Sequence, residues 1–202
     1  MFVPKVFQNA NDSEVKDFIR ENGFGLLVSQ KDGRLHGTHV PMELSAQGDQ
    51  LSGHVSKANQ QWRDFKDGEE VMAVFTGPHT YVSSSWYDHE NVPTWNYISV
   101  HVYGKVHIIE GEALVRSLKD LVDKYEKSSL NPVKVEAMTP EFFRDHINAL
   151  VGFVIKVTEV QAAYKLSQNR DRKNYTAIIG ELEKRGDHYS HQVADAMKKI
   201  RK

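Results

Sequence analysis

Short β-type segments follow one another along most of this chain, and tight turns are all that separates several of them. Residues 24–29 and 35–44 flank a turn at 31–33, and residues 51–55 follow a turn at 47–49. Strands that are joined directly by such turns run antiparallel, because a parallel pair needs a long crossover connection. The order of segments therefore predicts an antiparallel barrel or sandwich rather than a parallel sheet.

Apolar residues recur at helical spacing in the remaining parts of the chain. We predict a first helix that is capped near Asp12 or Ser13, and two amphipathic helices within residues 113–150. Two charged helices are predicted at 171–185 and 188–200. With about seven or eight strands besides these helices, the chain is predicted to be an α+β protein that is mainly β.

The length and composition limit the number of domains. A chain of 202 residues with a hydrophobic share of 40% suits one globular domain of ordinary size. We predict that residues 1–170 form this domain and carry a helical insertion at about 113–150. Residues 171–202 are then a helical extension that packs on the same domain.

Two features of the sequence bear on where the protein acts. No stretch is apolar over the roughly 20 residues that a membrane-spanning helix needs. The N-terminal segment, MFVPKVFQNANDSE, lacks the basic start and the apolar middle of a signal peptide. We therefore expect a cytoplasmic protein with no membrane partner.

The chain has no cysteine, which excludes disulfides, thiolate metal sites and thiol nucleophiles. Its ten histidines are scattered, and no pair has the compact spacing with which two histidines of one helix bind zinc. We therefore expect no metal site.

The net charge of −1 is unevenly distributed. From Lys165 onward there are ten basic and five acidic residues, a net +5, so the rest of the chain carries −6. A basic tail can contact nucleic acid. Helices with lysine and arginine on their solvated faces give the same count.

Residues Tyr81–Gly104 form the central stretch of the predicted fold and the edge of a candidate binding site. Two runs rich in tyrosine, valine, serine and tryptophan flank the polar segment at 88–93, which predicts a hairpin. After this segment, Thr94, Trp95, Asn96 and Tyr97 place an indole, an amide and a phenol side by side. Such groups suit a planar heteroaromatic ligand, although aromatic rings that only cap a β core would look the same.

A second candidate site lies where the strand at 51–55 leads into Ser56 and Lys57. If a short helix starts here, its free backbone N–H groups, the hydroxyl and the ammonium form a cradle for phosphate. A capping serine beside a solvated lysine would have the same sequence.

Six stretches, taken in order, resemble the PaiB-like FMN-binding negative transcriptional regulators. They are MFVPKVF at the start, GTHVP at 37–41, HVSKANQQW at 54–62, VFTGPHTYVSSSWY at 74–87, VPTWNYISVHVYG at 92–104 and KLSQNR at 165–170. The stretches cover nearly the whole length, and their order and spacing are specific to this family. The resemblance implies a split β-barrel, the fold of pyridoxamine-phosphate oxidases and flavin reductases, which is usually a homodimer with FMN at each end of the interface.

The resemblance also implies roles for individual residues. Ser56 and Lys57 are expected to bind the phosphate of FMN, and His54, Asn59 and Trp62 of the same motif are expected to shape the pocket. The strand segment Thr38, His39, Val40 and Pro41 is expected to lie along the flavin ring, with main-chain groups meeting its polar edge. The other residues expected around the ring are Thr94, Trp95, Asn96 and Tyr97, from the opposite side or from the partner subunit, and Lys165, Gln168 and Arg170, in a segment that closes the site.

Three uses of such a site remain open. In the first, which the family name favours, the protein is a regulator, FMN is a structural or redox-sensing cofactor, and promoter DNA is a possible partner. No helix-turn-helix is recognisable, so the basic tail is the candidate DNA contact. In the second, the flavin oxidises or reduces a small molecule in a pocket that includes His39, His54, Trp95 and Tyr97. The third is haem binding through an exposed histidine.

Overall fold

A computed structural model describes residues 1–65 and 68–200 of the chain. The last two residues of the predicted extension at 171–202 therefore lie outside the described residues. The strands are β1 (Phe24–Lys31), β2 (Arg34–Leu44), β3 (Gln50–Ser56), β4 (Glu69–Val82), β5 (Thr94–Ile109) and β6 (Leu150–Lys165). The α-helices are α1 (Asp12–Glu21), α2 (Gly111–Glu126), α3 (Pro140–Asn148), α4 (Arg172–Lys184) and α5 (His188–Ile200). Four short 3₁₀ helices are Lys5–Phe7, Gln60–Asp64, Ser84–Trp86 and Val135–Ala137.

The strands are hydrogen-bonded in the order β1-β2-β3-β6-β5-β4, and β1 also pairs with β4, which closes the sheet into a barrel. The registered pairs, β1 with β2, β1 with β4, β2 with β3, and β3 with β6, are all antiparallel. Closure leaves no unpaired sheet edge, which is the usual solution for antiparallel strands of this number. The predicted antiparallel barrel and the α+β class are confirmed.

The first hairpin shows how local sequence sets the register. Lys31 pairs with Arg34, so only Asp32 and Gly33 form the turn. Both turn residues have positive φ, 50° for Asp32 and 78° for Gly33. Two-residue hairpins need this left-handed backbone, which glycine adopts without strain and aspartate tolerates. The predicted turn at 31–33 is therefore present.

Seven or eight strands were expected, and the described residues contain six. The predicted strand at 71–76 does not stop at Gly77-Pro78, because β4 runs through both residues to Val82. The buried positions of β4 change from odd numbers up to Gly77 to even numbers from Thr80, so one residue is accommodated without ending the strand. The first arm of the predicted hairpin at 81–87 is consequently the end of β4 followed by the 3₁₀ helix Ser84–Trp86.

The chain contacts divide the protein into two compact units. The central unit comprises residues 18–74 and 102–160, and the terminal unit comprises residues 1–17, 75–101 and 161–202. Each of the six strands contributes a segment to the central unit. The predicted domain boundary at residue 170 stays a prediction.

The core of the central unit consists of inward-facing side chains of the strands. Leu27, Met42, Leu51, Phe153 and Ile155 have no exposed surface. The ring of Phe153 packs edge-on against Phe65, with 5.5 Å between the ring centres. Burial of each such side chain contributes about 1.5–3 kcal/mol, so these residues stabilise the strands that carry the candidate site.

In the terminal unit, α4 and α5 pack through side chains that have no exposed surface: Ile178, Leu182, Val193 and Met197. Asp171 caps α4 by accepting a hydrogen bond from the backbone N–H of Asn174 at 3.0 Å. The two predicted tail helices are present within one residue of their predicted ends. None of the helices that the structure describes is long and apolar enough to span a membrane.

Candidate cofactor site

The Ser56–Trp62 loop follows the end of β3 in the central unit, and hydrogen bonds fix its backbone. The Lys57 N–H donates to the carbonyl oxygen of Ala149 at 2.8 Å, and the indole N–H of Trp62 donates to the carbonyl oxygen of Lys57 at 3.0 Å. The side-chain amide of Asn59 donates to Oγ1 of Thr38 at 2.9 Å, which ties the loop to β2. Asn59, Trp62 and Thr38 therefore position the loop that carries Ser56 and Lys57.

The predicted helix N-terminus is not found at Ser56 and Lys57. The helix begins later, at Gln60, is a five-residue 3₁₀ helix, and is capped by Asn59, whose Oδ1 accepts from the Gln61 N–H. The Ala58 N–H donates to Oγ of Ser56, and the Asn59 N–H donates to the Ser56 carbonyl. The backbone groups expected to bind phosphate are thus already hydrogen-bonded, and this part of the prediction was wrong.

The hydroxyl hydrogen of Ser56 and the ammonium of Lys57 remain available to a ligand. Ser56 and Lys57 are both exposed, and no carboxylate of the described residues lies within 4.0 Å of the Lys57 ammonium. A hydroxyl and an uncompensated ammonium on a fixed backbone suit the anionic end of a nucleotide, because charge-assisted hydrogen bonds are about twice as strong as neutral ones. The residues present therefore fit the phosphate of FMN.

The predicted residues of β2 lie on two different faces of the strand. Thr38 and Val40 share the face of the buried Met42, whereas His39 and Pro41 lie on the outer face. The imidazole of His39 stacks on Phe24, with 6.0 Å between the ring centres and 25° between the ring planes. Because the two faces alternate along a strand, the side chains of only one of these pairs can contact a ligand on a given face, whereas the predicted main-chain contacts do not depend on this alternation.

His54 lies on β3, two residues before Ser56, and its side chain is half-buried. Burial lowers the pKa of His54 below the ordinary value of 6.5, because a charged imidazole loses solvation there. The neutral ring is therefore the dominant form at neutral pH.

In the terminal unit, the alternation of β5 separates the four predicted residues Thr94, Trp95, Asn96 and Tyr97. The side chain of Asn96 is fully buried, and its Oδ1 accepts a hydrogen bond from Oγ of Ser167 at 3.0 Å. Its Nδ2 lies 3.5 Å from the sulfur of Met197. Trp95 and Tyr97 lie on the outer face, so the structure brings them together and turns Asn96 into the core.

Four rings form an exposed aromatic cluster in the terminal unit. Trp95, which is 54% exposed, lies 6.1 Å from Tyr81 and 6.2 Å from His79 between ring centres. His79 in turn lies 4.9 Å from the ring of Tyr189 on α5. The sequence indicated Trp95 as a site residue but not the other three, because β4 and α5 meet β5 only in the folded chain. The cluster offers flat apolar surfaces with polar atoms at their edges.

The segment Lys165–Arg170 folds back on its own unit. The Lys165 ammonium donates to Oγ1 of Thr94 at 2.6 Å, so these two predicted residues meet. Oε1 of Gln168 accepts from the Leu166 N–H at 2.7 Å, and the Arg170 guanidinium lies over the ring of Tyr87 at 5.1 Å. Contacts with other residues of the terminal unit thus hold the segment in place.

The predicted site residues therefore form two groups. One surrounds the Ser56–Trp62 loop in the central unit, and the other surrounds Trp95 in the terminal unit. That both groups contact one flavin stays a prediction.

A closed barrel of six strands with peripheral helices places this protein in the class of split β-barrels. Two solved structures share this fold. One is described as the FAD and heme binding protein from Mycobacterium smegmatis, with a TM-score of 0.64, 16% identity, and coverage of 84% of this chain and 78% of that chain. The other is the flavocytochrome Anf3 from Azotobacter vinelandii, with a TM-score of 0.61, 16% identity, and coverage of 84% and 75%.

The family follows from the sequence comparisons. Residues 1–159 match the family described as "Putative FMN-binding domain". The chain is 41% identical over 199 residues to "Protease synthase and sporulation protein PAI 2" from Bacillus subtilis strain 168, covering 98% of this chain and 96% of that protein. The chain belongs to this FMN-binding family of the PaiB type, and FMN is its cofactor. The resemblance seen in the sequence is thereby confirmed.

Proposed function

We propose that this protein is a regulator of gene expression that works as a homodimer and contains FMN as a structural or redox-sensing cofactor. The relative from Bacillus subtilis, with 41% identity, is named "Protease synthase and sporulation protein PAI 2", and sporulation is a cellular programme rather than a reaction. The cytoplasmic location expected from the sequence is part of this proposal.

The observation that carries the cofactor part of the proposal is the uncompensated ammonium of Lys57 on a fixed loop, and the regulatory part rests on the similarity to the relative from Bacillus subtilis. The chain would hold the phosphate of FMN with this ammonium and the Ser56 hydroxyl. When bound, FMN supplies the capacity to accept and return electrons. The residues around it bind, orient and shield the cofactor, which suits a sensor as well as an enzyme.

Promoter DNA is a proposed partner, and the charges of the tail limit how strongly it would bind. Lys173 pairs with Asp88 at 2.8 Å, and Lys184 pairs with Glu181 at 2.6 Å. Lys198 pairs with Glu183. Exposed pairs of this kind are weak and can open, but among the described tail residues they make these three lysines less available to phosphate. A shallow dependence of DNA affinity on salt is therefore expected.

A flavin-dependent oxidoreductase is the second candidate function. The exposed aromatic cluster of Trp95, Tyr81, His79 and Tyr189 supports it, because such a surface can hold a planar substrate beside the predicted ring-binding residues. Haem binding, the third possibility, gains no support from the two solved structures, since at 16% identity they show the fold alone.

The test begins with the absorbance spectrum of the purified protein and an anaerobic titration with NADH. Flavin bands that NADH leaves unchanged, together with a mobility shift of promoter DNA that differs between oxidised and dithionite-reduced protein, would support the regulator. Stoichiometric bleaching by NADH followed by turnover with an acceptor would favour the oxidoreductase. A protein that binds FMN, is unaffected by NADH, and gives no DNA shift in either redox state would contradict both. Light scattering at several protein concentrations tests the homodimer.

A further inference from the structure

An apolar pocket lies on the helical insertion of the central unit, between α2 and the segment 133–138. Its volume is about 290 Å³, near the lower end of the range for small-molecule sites. The residues that line it are Leu121, Val122, Tyr125, Glu126, Val133 and Met138. None of them belongs to the predicted FMN site.

One charged side chain lines this otherwise apolar pocket. Glu126 is the last residue of α2, and its Oε2 accepts a hydrogen bond from the Val133 N–H at 2.9 Å. In the described chain, no lysine, arginine or histidine lies within 4.0 Å of this carboxylate. The nearby Lys124 ammonium is bound instead to Glu43 at 2.6 Å and to the Arg20 carbonyl at 2.8 Å. The pocket therefore contains a negative charge without a cationic partner.

The position of Glu126 on its helix strengthens the argument for a cation. The C-terminal end of a helix carries partial negative charge from its unpaired carbonyl groups, so a carboxylate there is disfavoured and a cation is favoured. The Tyr125 ring also lines the pocket, and the Lys124 ammonium already lies over it, 5.5 Å from the ring centre, so the ring adds apolar surface to the site. The carboxylate and the helix end thus favour the same charge.

The far wall of the pocket is held in place by the chain itself. Lys119 of α2 pairs with Glu136, which ties the helix to the 3₁₀ helix Val135–Ala137. The Met138 N–H donates to the Val135 carbonyl at 3.1 Å, which orients the methionine at the wall. A preformed wall reduces the entropy that a ligand must lose on binding.

We propose that this pocket binds a small organic cation with an apolar body, of the alkylammonium class. The apolar part contacts Leu121, Val122 and Met138, and the ammonium contacts the Glu126 carboxylate beside the Tyr125 ring. The site is independent of FMN.

The proposal is tested with full-length FMN-loaded protein carrying ¹³C-methyl methionine, titrated with n-hexylammonium chloride. We expect a saturable shift of the Met138 methyl resonance, and binding about ten-fold tighter than that of n-hexanol. Glu126→Gln keeps the acceptor for the Val133 N–H and removes the charge, so it should abolish the preference for hexylammonium while hexanol binding is unchanged. Glu112→Gln, an exposed residue at the other end of α2, is the matched control and should behave as the parent protein.

Two results would overturn the proposal. The first is equal affinity of hexylammonium and hexanol for the parent protein, or an unchanged preference in Glu126→Gln. The second is a Met138 resonance that moves with protein concentration alone and not with hexylammonium, since this face would then be covered by a second copy of the chain. Val122→Trp fills the pocket without touching its charge, so loss of both probes in this variant supports the location.

Discussion

The Nδ1 atom of His36 lies 2.6 Å from Oδ2 of Asp64, whose side chain is only 2% exposed. The same carboxylate oxygen accepts a hydrogen bond from Oγ of Ser29 at 2.9 Å. Gln61, one turn before Asp64, donates to the Leu27 carbonyl at 3.0 Å and to Oγ of Ser29 at 3.1 Å. One buried carboxylate therefore joins β1, β2 and the 3₁₀ helix that follows the candidate phosphate-binding residues.

This network predicts a large effect for Asp64→Ala. The substitution leaves the Ser29 hydroxyl and His36 without their acceptor, so the free energy of unfolding should fall by roughly 2–3 kcal/mol. Urea unfolding followed by circular dichroism measures it. Asp120→Ala, an exposed aspartate on α2, should change stability by less than about 0.5 kcal/mol. Equal losses in the two variants would show that the network contributes nothing beyond an exposed charge.

Lys57→Ala should weaken FMN binding by about ten-fold or more, because a charge-assisted contact to phosphate is lost. Fluorescence titration of the apoprotein with FMN measures the dissociation constant. Lys105→Ala is the matched control, since this exposed lysine lies on β5 of the same unit and has no role in the predicted site. An unchanged affinity in Lys57→Ala would remove this residue from the phosphate site.

Asn96→Ala should reduce stability while leaving the cofactor site largely intact. Its side chain is fully buried and hydrogen-bonded to Ser167, so the free energy of unfolding should fall by about 1–3 kcal/mol. Since both polar atoms face other core residues, FMN affinity should stay within about three-fold of the parent. Ser99→Ala, on the outer face of β5, is the control. A folded Asn96→Ala variant that loses FMN would place this amide at the cofactor after all.

Gly104→Ala should damage the barrel. An added Cβ would collide with the carbonyl oxygen of Lys156 and lie 2.6 Å from Cγ2 of Ile155. Such overpacking typically costs about 1–3 kcal/mol. Because the backbone of the neighbouring strand is rigid, we expect the loss of unfolding free energy in Gly104→Ala to lie near the upper end of this range. Gly180→Ala, within α4 where nothing lies within 4 Å of the new methyl group, should instead stabilise by about 0.5–1 kcal/mol. Thermal unfolding of both variants separates the two outcomes.

Stability should decline as pH falls below about 6.5. Burial lowers the pKa of His54. The pKa of His101 is lowered mainly by burial and, to a smaller extent, by repulsion from the N-terminal ammonium. The unfolded chain then takes up protons at a higher pH than the folded protein, which favours unfolding as pH decreases through this range. His54→Gln should make the decline in urea midpoint between about pH 7.5 and about pH 5.5 shallower. The exposed His188→Gln should leave it unchanged, and an identical decline in both variants would contradict the assignment.

Turn signals in the sequence predicted the structure where the turn needs positive φ angles. They failed where tertiary packing favours continuation of a strand. The turn at Asp32 and Gly33 was predicted because its positive φ angles restrict the residues that fit. Gly77 and Pro78 also look like a stop, yet β4 continues through them. Gly77 is buried and Pro78 is half-buried within the strand, so tertiary packing outweighs the local preference there.

The candidate site also combines features that local sequence predicts with features that only tertiary contacts determine. The motif places Ser56 and Lys57 at the end of β3, as predicted. The occupied backbone N–H of Lys57 was not predictable, since its acceptor, Ala149, is distant in sequence. The contacts of Trp95 with His79 and of His79 with Tyr189 were not predictable either, since these residues are also distant in sequence.

Periodicity and turn chemistry within the chain determined which segments become strands and helices, and the ordered motifs determined the FMN-binding family. Only the tertiary structure decided how many strands the barrel has, which face of β5 holds Asn96, and which cations keep no partner. Alternation and turn propensity are properties of neighbouring residues, whereas burial and hydrogen-bond partnership depend on groups that the chain brings together from far apart.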